Sequence, residues 1–84
     1  NNKLDNTLIF FLSDNGGPGL EKTGADNFPY NGIKGLAFEG SHRVPFLMQW
    51  NNHVPSGKVY SSLTSGYDIF ATCIHAAGGR LSNH

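Results

Sequence analysis

The chain of 84 residues carries six Lys/Arg against six Asp/Glu and a single cysteine. One cysteine excludes an internal disulfide and a Cys-x-x-Cys zinc cluster. The balanced charge, with no basic block, gives no nucleic-acid footprint, and no apolar run approaches the ~20 residues of a membrane span.

A chain this short buries only a modest share of its surface, roughly 60–65%, and is marginal alone. Its polar opening, Asn1-Asn2-Lys3-Leu4-Asp5, has neither an initiator Met nor a signal-peptide pattern. It is read as a piece of a longer chain, so the compartment is not indicated.

The first predicted element is a strand over Leu8-Ile9-Phe10-Phe11-Leu12. The run does not alternate, which is how a strand buried on both faces of a mostly parallel sheet reads. Gly16-Gly17-Pro18 stops it. Residues 16–35, rich in Gly, Asn, Asp, Pro and Thr, read as a long loop, and loops of that length are often functional. A short helix of one or two turns is expected within Gly35-Leu36-Ala37-Phe38-Glu39-Gly40. A second strand follows over Val44–Trp50, with Pro45 near its start because proline cannot donate to a sheet ladder. Residues 51–57 are a turn region. The last element is a helix on which Phe70, Cys73, Ile74 and Ala77 form one apolar face. Ser65-x-x-Asp68 has capping-box spacing before it, and Gly78-Gly79 ends it. The expected fold class is α/β: a fragment of a mostly parallel sheet flanked by helices, with two strands, one short helix and one longer one.

Two places offer chemistry. Asp14 and Asn15 stand at the carboxyl end of the first strand, where open α/β sheets gather ligands. A carboxylate and an amide oxygen suit a hard cation, Ca²⁺ or Mg²⁺. Neighbours on a regular strand point to opposite faces, so joint ligation needs the chain to leave β geometry, which Gly16-Gly17 allows. Asn-Gly is also a hairpin signal, although residues 19–24 are not a second apolar strand. On these residues alone, metal ligation and a plain turn stand level. Lys34, between glycines in Asn31-Gly32-Ile33-Lys34-Gly35, is placed to face a tetrahedral anion as a point charge. By spacing alone an ordinary surface lysine is the commoner case.

The remaining polar residues read as structural. Glu39 and Arg43 are four apart and suit a helical pair. His42, His53, His75 and His84 show no ligand spacing and are placed on surfaces or helix faces. Asp68 reads as a helix-start residue and Cys73 as a small core residue.

Three blocks, in order along nearly the whole chain, resemble the sulfatase family. Asp5-Asn6-Thr7-Leu8-Ile9 followed by Ser13-Asp14-Asn15-Gly16-Gly17 is similar to the family's strand and metal-binding SDNGG segment. Asn31-Gly32-Ile33-Lys34-Gly35, then Glu39-Gly40-Ser41-His42-Arg43-Val44-Pro45-Phe46, is similar to its RGGKG…EGGxRVPF block. Tyr67-Asp68-Ile69-Phe70-Ala71-Thr72, running into Ala76-Ala77-Gly78, resembles its DIFPT…AAG helix. Asn31-Gly32-Ile33 departs from Arg-Gly-Gly, Ser41 from Gly and Ala71 from Pro.

The resemblance implies an alkaline-phosphatase-like α/β enzyme that hydrolyses sulfate esters, with residues 1–84 forming a C-terminal portion of its catalytic domain. Asp14 and Asn15 would be metal ligands, for Ca²⁺ or another divalent cation, and Lys34 would contact the substrate's sulfate. The cation would activate the nucleophile and hold a sulfate oxygen, and the lysine would offset charge on the transferring group. The nucleophile, a formylglycine made from a C/S-x-P/A-S-R motif, is expected upstream, because Ile74-His75-Ala76-Ala77 follows Cys73. No catalytic residue is therefore assigned within the chain, which alone is expected to be inactive. Its implied partners are a sulfate-ester substrate, in family terms a sulfated carbohydrate, and the remainder of the catalytic domain. The family points to a secreted, periplasmic or lysosomal setting. The alternatives are a phosphatase or phosphodiesterase on the same scaffold, and a non-catalytic homologue that binds anions or glycans through a metal.

Overall fold

The computed structural model describes residues 3–82; His84 lies outside them. Five elements beyond an initial 3₁₀ turn, Leu4–Asn6, follow in order: β1 (Leu8–Leu12), α1 (Leu20–Thr23), α2 (Glu39–His42), β2 (Phe46–Trp50) and α3 (Tyr67–Ala76). β1 and β2 pair antiparallel in a two-stranded sheet. The α/β class, the two strands and the longer helix agree with the sequence. The antiparallel sense of this pair is a local departure from a mostly parallel sheet, of a kind mixed sheets accommodate.

The chain divides into two compact units, Phe11–Leu47 and the residues up to Phe10 with those from Met48 on. Phe11–Leu47 is built from backbone ties between loops. The Ser13 N–H donates to the Pro45 carbonyl at 3.3 Å, one step past the strand ends. Pro45 stands just before β2, where its missing N–H costs no ladder bond. The long loop contains one helical turn, α1, that the sequence pattern did not announce. The short helix is displaced from its expected position to Glu39–His42. Gly35 has φ +88° and Phe38 is extended (φ −116°, ψ 160°), so helical geometry starts only at Glu39. Arg43 then pairs with Glu39 at 3.3 Å, both exposed, a contact worth about 0–1 kcal/mol.

In the other unit the turn after β2 is closed by the Val54 N–H donating to the Trp50 carbonyl at 2.9 Å. The His53 ring stacks on Trp50 with centroids 3.9 Å apart. Asn51 Nδ2 donates to Asp5 Oδ1 at 3.0 Å. The start of α3 carries the expected reciprocal cap: the Ser65 N–H donates to Asp68 Oδ2 at 2.7 Å, and the Tyr67 N–H donates to Ser65 Oγ at 3.3 Å. Its end is a Schellman motif. Gly78 takes φ +77°, its N–H donates to the His75 carbonyl at 3.0 Å, and the Gly79 N–H donates to the Ile74 carbonyl at 2.9 Å.

Among the described residues no hydrophobic side chain is buried. Phe11 is 68% and Phe70 70% exposed, and Cys73 is exposed. This corrects two expectations, that β1 is covered on both faces and that Cys73 sits in a core. A two-stranded sheet gives β1 one neighbour, and nothing among the described residues covers the α3 face bearing Phe70 and Cys73.

Candidate functional site

All the candidate residues lie within the unit Phe11–Leu47. Past β1 the chain leaves extended geometry at once. Ser13 Oγ donates to the Asn15 carbonyl at 2.7 Å, and Asn15 Nδ2 donates to the Gly16 carbonyl at 3.0 Å. These short-range bonds turn Ser13-Asp14-Asn15-Gly16 sharply. The turn is not a hairpin: α1 follows it, and the strand paired with β1 begins only at Phe46.

Asp14 is exposed and Asn15 half-buried. Among the described residues no hydrogen bond or ion pair engages the Asp14 carboxylate or Asn15 Oδ1. With Nδ2 of Asn15 committed to backbone, its Oδ1 is the end left to accept. Two such oxygens fit a hard cation by donor type. They do not complete its shell of about 6–8 oxygens, and no group of three or more His, Cys, Asp or Glu is placed to hold a metal among the described residues.

The two loops and α2, which carry the first two motif blocks, are fastened by backbone. The Gly16 N–H donates to the Ser41 carbonyl at 2.9 Å, the Gly40 N–H to the Asn31 carbonyl at 2.8 Å, and the Lys34 N–H to the Gly17 carbonyl at 3.0 Å. Gly16 and Gly40 are buried, as is Ser41 at 5% exposure. There is no room for a side chain at these crossings. A Cβ on Gly16 would overlap the Gly40 carbonyl, and one on Gly40 would come within 2.7 Å of the Asn31 carbonyl oxygen.

A side chain joins this backbone mesh. Asn27 Oδ1 accepts from the Gly17 N–H at 2.8 Å. Its Nδ2 donates to the Gly17 carbonyl at 2.9 Å and to the Gly32 carbonyl at 3.0 Å. Asn27 did not stand out in the sequence, and Ser41 did so only as a departure from the family's glycine. Asn27 sits in Ala25-Asp26-Asn27-Phe28-Pro29, where an asparagine is ordinary loop composition.

Lys34 is exposed. Among the described residues its ammonium has no hydrogen-bond or ion-pair partner. Exposure alone is what any surface lysine shows; what sets this one apart is a backbone fixed to the loop that carries Asp14 and Asn15. Arg43, by contrast, is occupied. It pairs with Glu39, and its guanidinium lies 4.4 Å from the Tyr30 ring centroid, as suits a structural cation. A hollow of about 400 Å³ is lined by Asp26, Asn27, Phe28, Tyr30, Arg43, Val44 and Pro45, and not by Asp14, Asn15 or Lys34.

The segment is thus an α/β piece in which two candidate oxygen ligands and a lysine unpartnered among the described residues lie on loops tied to each other by backbone. The Sulfatase family profile matches residues 1–79, and the chain belongs to the sulfatase family. It is similar to N-acetylgalactosamine-6-sulfatase of Sus scrofa, 40% identical over 75 residues, covering 87% of this chain and 14% of that protein. It is also similar to steryl-sulfatase of Mus musculus, 38% identical over 81 residues, covering 89% of this chain and 13% of that protein. Arylsulfatase H of Homo sapiens is 38% identical over 84 residues, covering 93% of this chain and 15% of that protein. The chain spans about one seventh of the length of these relatives. No solved structure matches it significantly.

Proposed function

We propose that the protein carrying this segment hydrolyses sulfate esters, and that the segment contributes part of its active site. Asp14 and Asn15 supply two oxygen ligands to a divalent cation, Ca²⁺ by donor type, and Lys34 contacts the sulfate. The observation that carries this reading is the tie from the Lys34 N–H to the Gly17 carbonyl. It fixes the only motif lysine to the loop of the candidate ligands. Family membership supports the reaction class.

When bound, the cation would polarise a sulfate oxygen and lower the pKa of the nucleophile. This chain's own residues hold and orient. The turn at Ser13–Gly16 presents both oxygens from one loop, and Lys34 offsets negative charge growing on the transferring group. The nucleophile, a formylglycine, and the other metal ligands belong to the upstream part of the catalytic domain. The three relatives' names cover an amino-sugar sulfate, a sterol sulfate and aryl sulfates. The ester bond is what they share, and a sulfated carbohydrate is the substrate class proposed.

The test is sulfate release from an aryl sulfate and from sulfated oligosaccharides by the full-length protein, with Asp14→Ala and Lys34→Ala beside it. Release that depends on both residues supports the assignment; release indifferent to both contradicts it.

A further inference from the structure

The structure assigns to Asn27 the role of a positioning residue, which keeps the loop of Asp14 and Asn15 in register with the loop of Lys34; this rests on the active-site reading above. An amide side chain offers one acceptor oxygen and two N–H donors. Asn27 uses all three functions on backbone, accepting from the Gly17 N–H at 2.8 Å and donating to the Gly17 and Gly32 carbonyls at 2.9 and 3.0 Å. The pattern fixes the amide's orientation, since a flipped amide would set its oxygen against two carbonyl oxygens.

Gly17 lies two residues after Asn15, and Gly32 two residues before Lys34. One half-buried side chain therefore spans the short gap between the candidate ligands and the candidate sulfate contact. The Gly17 carbonyl it holds is the same one that accepts the Lys34 N–H at 3.0 Å. No other side chain of the described residues is bonded to both loops. Aspartate, its isostere, keeps the acceptor but loses both donors and faces two carbonyls with a charged oxygen.

The polar functions of Asn27 are spent on the backbone of Gly17 and Gly32, so its removal acts through Asp14, Asn15 and Lys34. Supporting groups of this kind cost about 10- to 100-fold in metal affinity or activity when removed. The experiment is a double-mutant cycle in the full-length protein with Asn27→Ala, Asn27→Asp, Lys34→Ala and the pairs with Lys34→Ala. The readouts are kcat and KM for an aryl sulfate, inhibition by inorganic sulfate, calorimetric Ca²⁺ affinity and the thermal transition. The expected result is a fall of about 10- to 100-fold in kcat/KM for each Asn27 variant, with weaker Ca²⁺ and sulfate binding. The losses should be less than multiplicative with Lys34→Ala, because residues coupled through one network are not additive. Asn27→Asp, equal in size, carries the test if Asn27→Ala does not fold. Multiplicative losses, or unchanged Ca²⁺ and sulfate binding with only a lowered thermal transition, overturn the role of Asn27 alone. If Lys34→Ala itself leaves kcat/KM and sulfate inhibition unchanged, the active-site reading fails and the inference with it.

Discussion

Gly16 and Gly40 meet backbone against backbone: the Gly16 N–H donates to Ser41, the residue after Gly40, at 2.9 Å, and a Cβ on Gly16 would overlap the Gly40 carbonyl. The crossing sets how closely the loop bearing Asp14 and Asn15 approaches α2. Gly16→Ala is expected to lower stability by about 1–3 kcal/mol, the usual cost of overpacking, and to reduce activity through the displaced loop. Gly66 is the control. No atom of the described residues lies within 4 Å of a Cβ there, and its φ of −58° is helical. Gly66→Ala should be neutral or stabilise by up to about 1 kcal/mol. Thermal unfolding of the two variants of the full-length protein checks the contrast.

Removal of a proposed metal ligand should exceed the effect of removing its support. Asp14→Ala is expected to cost more than the about 10- to 100-fold typical of supporting groups, because it deletes the charged donor. Asn15→Ala deletes a neutral one, so raised Ca²⁺ should restore part of its activity. Activity measured across a Ca²⁺ titration distinguishes the two; identical curves for both variants and the unaltered protein would count against ligation.

Lys34 is proposed to offset charge on the transferring group. Lys34→Ala should lower kcat by about 10²- to 10³-fold, the range for loss of one transition-state donor, and weaken inhibition by inorganic sulfate. Lys34→Arg keeps the charge but not the point geometry, so an intermediate loss is expected. Steady-state kinetics on an aryl sulfate read both.

Much of the fold was legible because it rests on local rules. β1 announced itself as an unbroken apolar run ended by glycines, and α3 by its Ser65/Asp68 cap and Gly78 stop; both stand within a residue or two of their expected bounds. The short helix was misplaced because Gly35 and Phe38 adopt non-helical backbone, a choice tied to Gly40 lying under the Asn31 carbonyl rather than to propensity. The burial of β1 and Cys73 was inferred from apolarity, which says that a face seeks cover and not what supplies it. At the candidate site, residue type and flanking glycines left Asp14 and Asn15 level between ligands and a plain turn, and Lys34 closer to a surface lysine; the resemblance of the motif blocks is what singled them out. Asn27 was not, since its part arises from three contacts with Gly17 and Gly32 that no spacing rule encodes.

The absence of a buried hydrophobic side chain among the described residues has a consequence for the isolated chain. Folding stability comes chiefly from apolar burial, and an open strand edge invites association. Residues 1–84 produced alone are expected to show no cooperative thermal transition and to bind a hydrophobic dye. A sharp transition of a monomer, with calorimetric and van't Hoff enthalpies equal, would contradict this.

Asp14, Asn15 and Lys34 are proposed to belong to a metal-dependent sulfate-ester hydrolase. The most direct measurement compares aryl sulfate and aryl phosphate hydrolysis by the full-length protein before chelation, after it, and after Ca²⁺ is returned. The expected result is sulfate release that is lost with the cation, regained with Ca²⁺ and faster than phosphate release. Phosphate release without sulfate release, or sulfate release indifferent to the chelator, would contradict it.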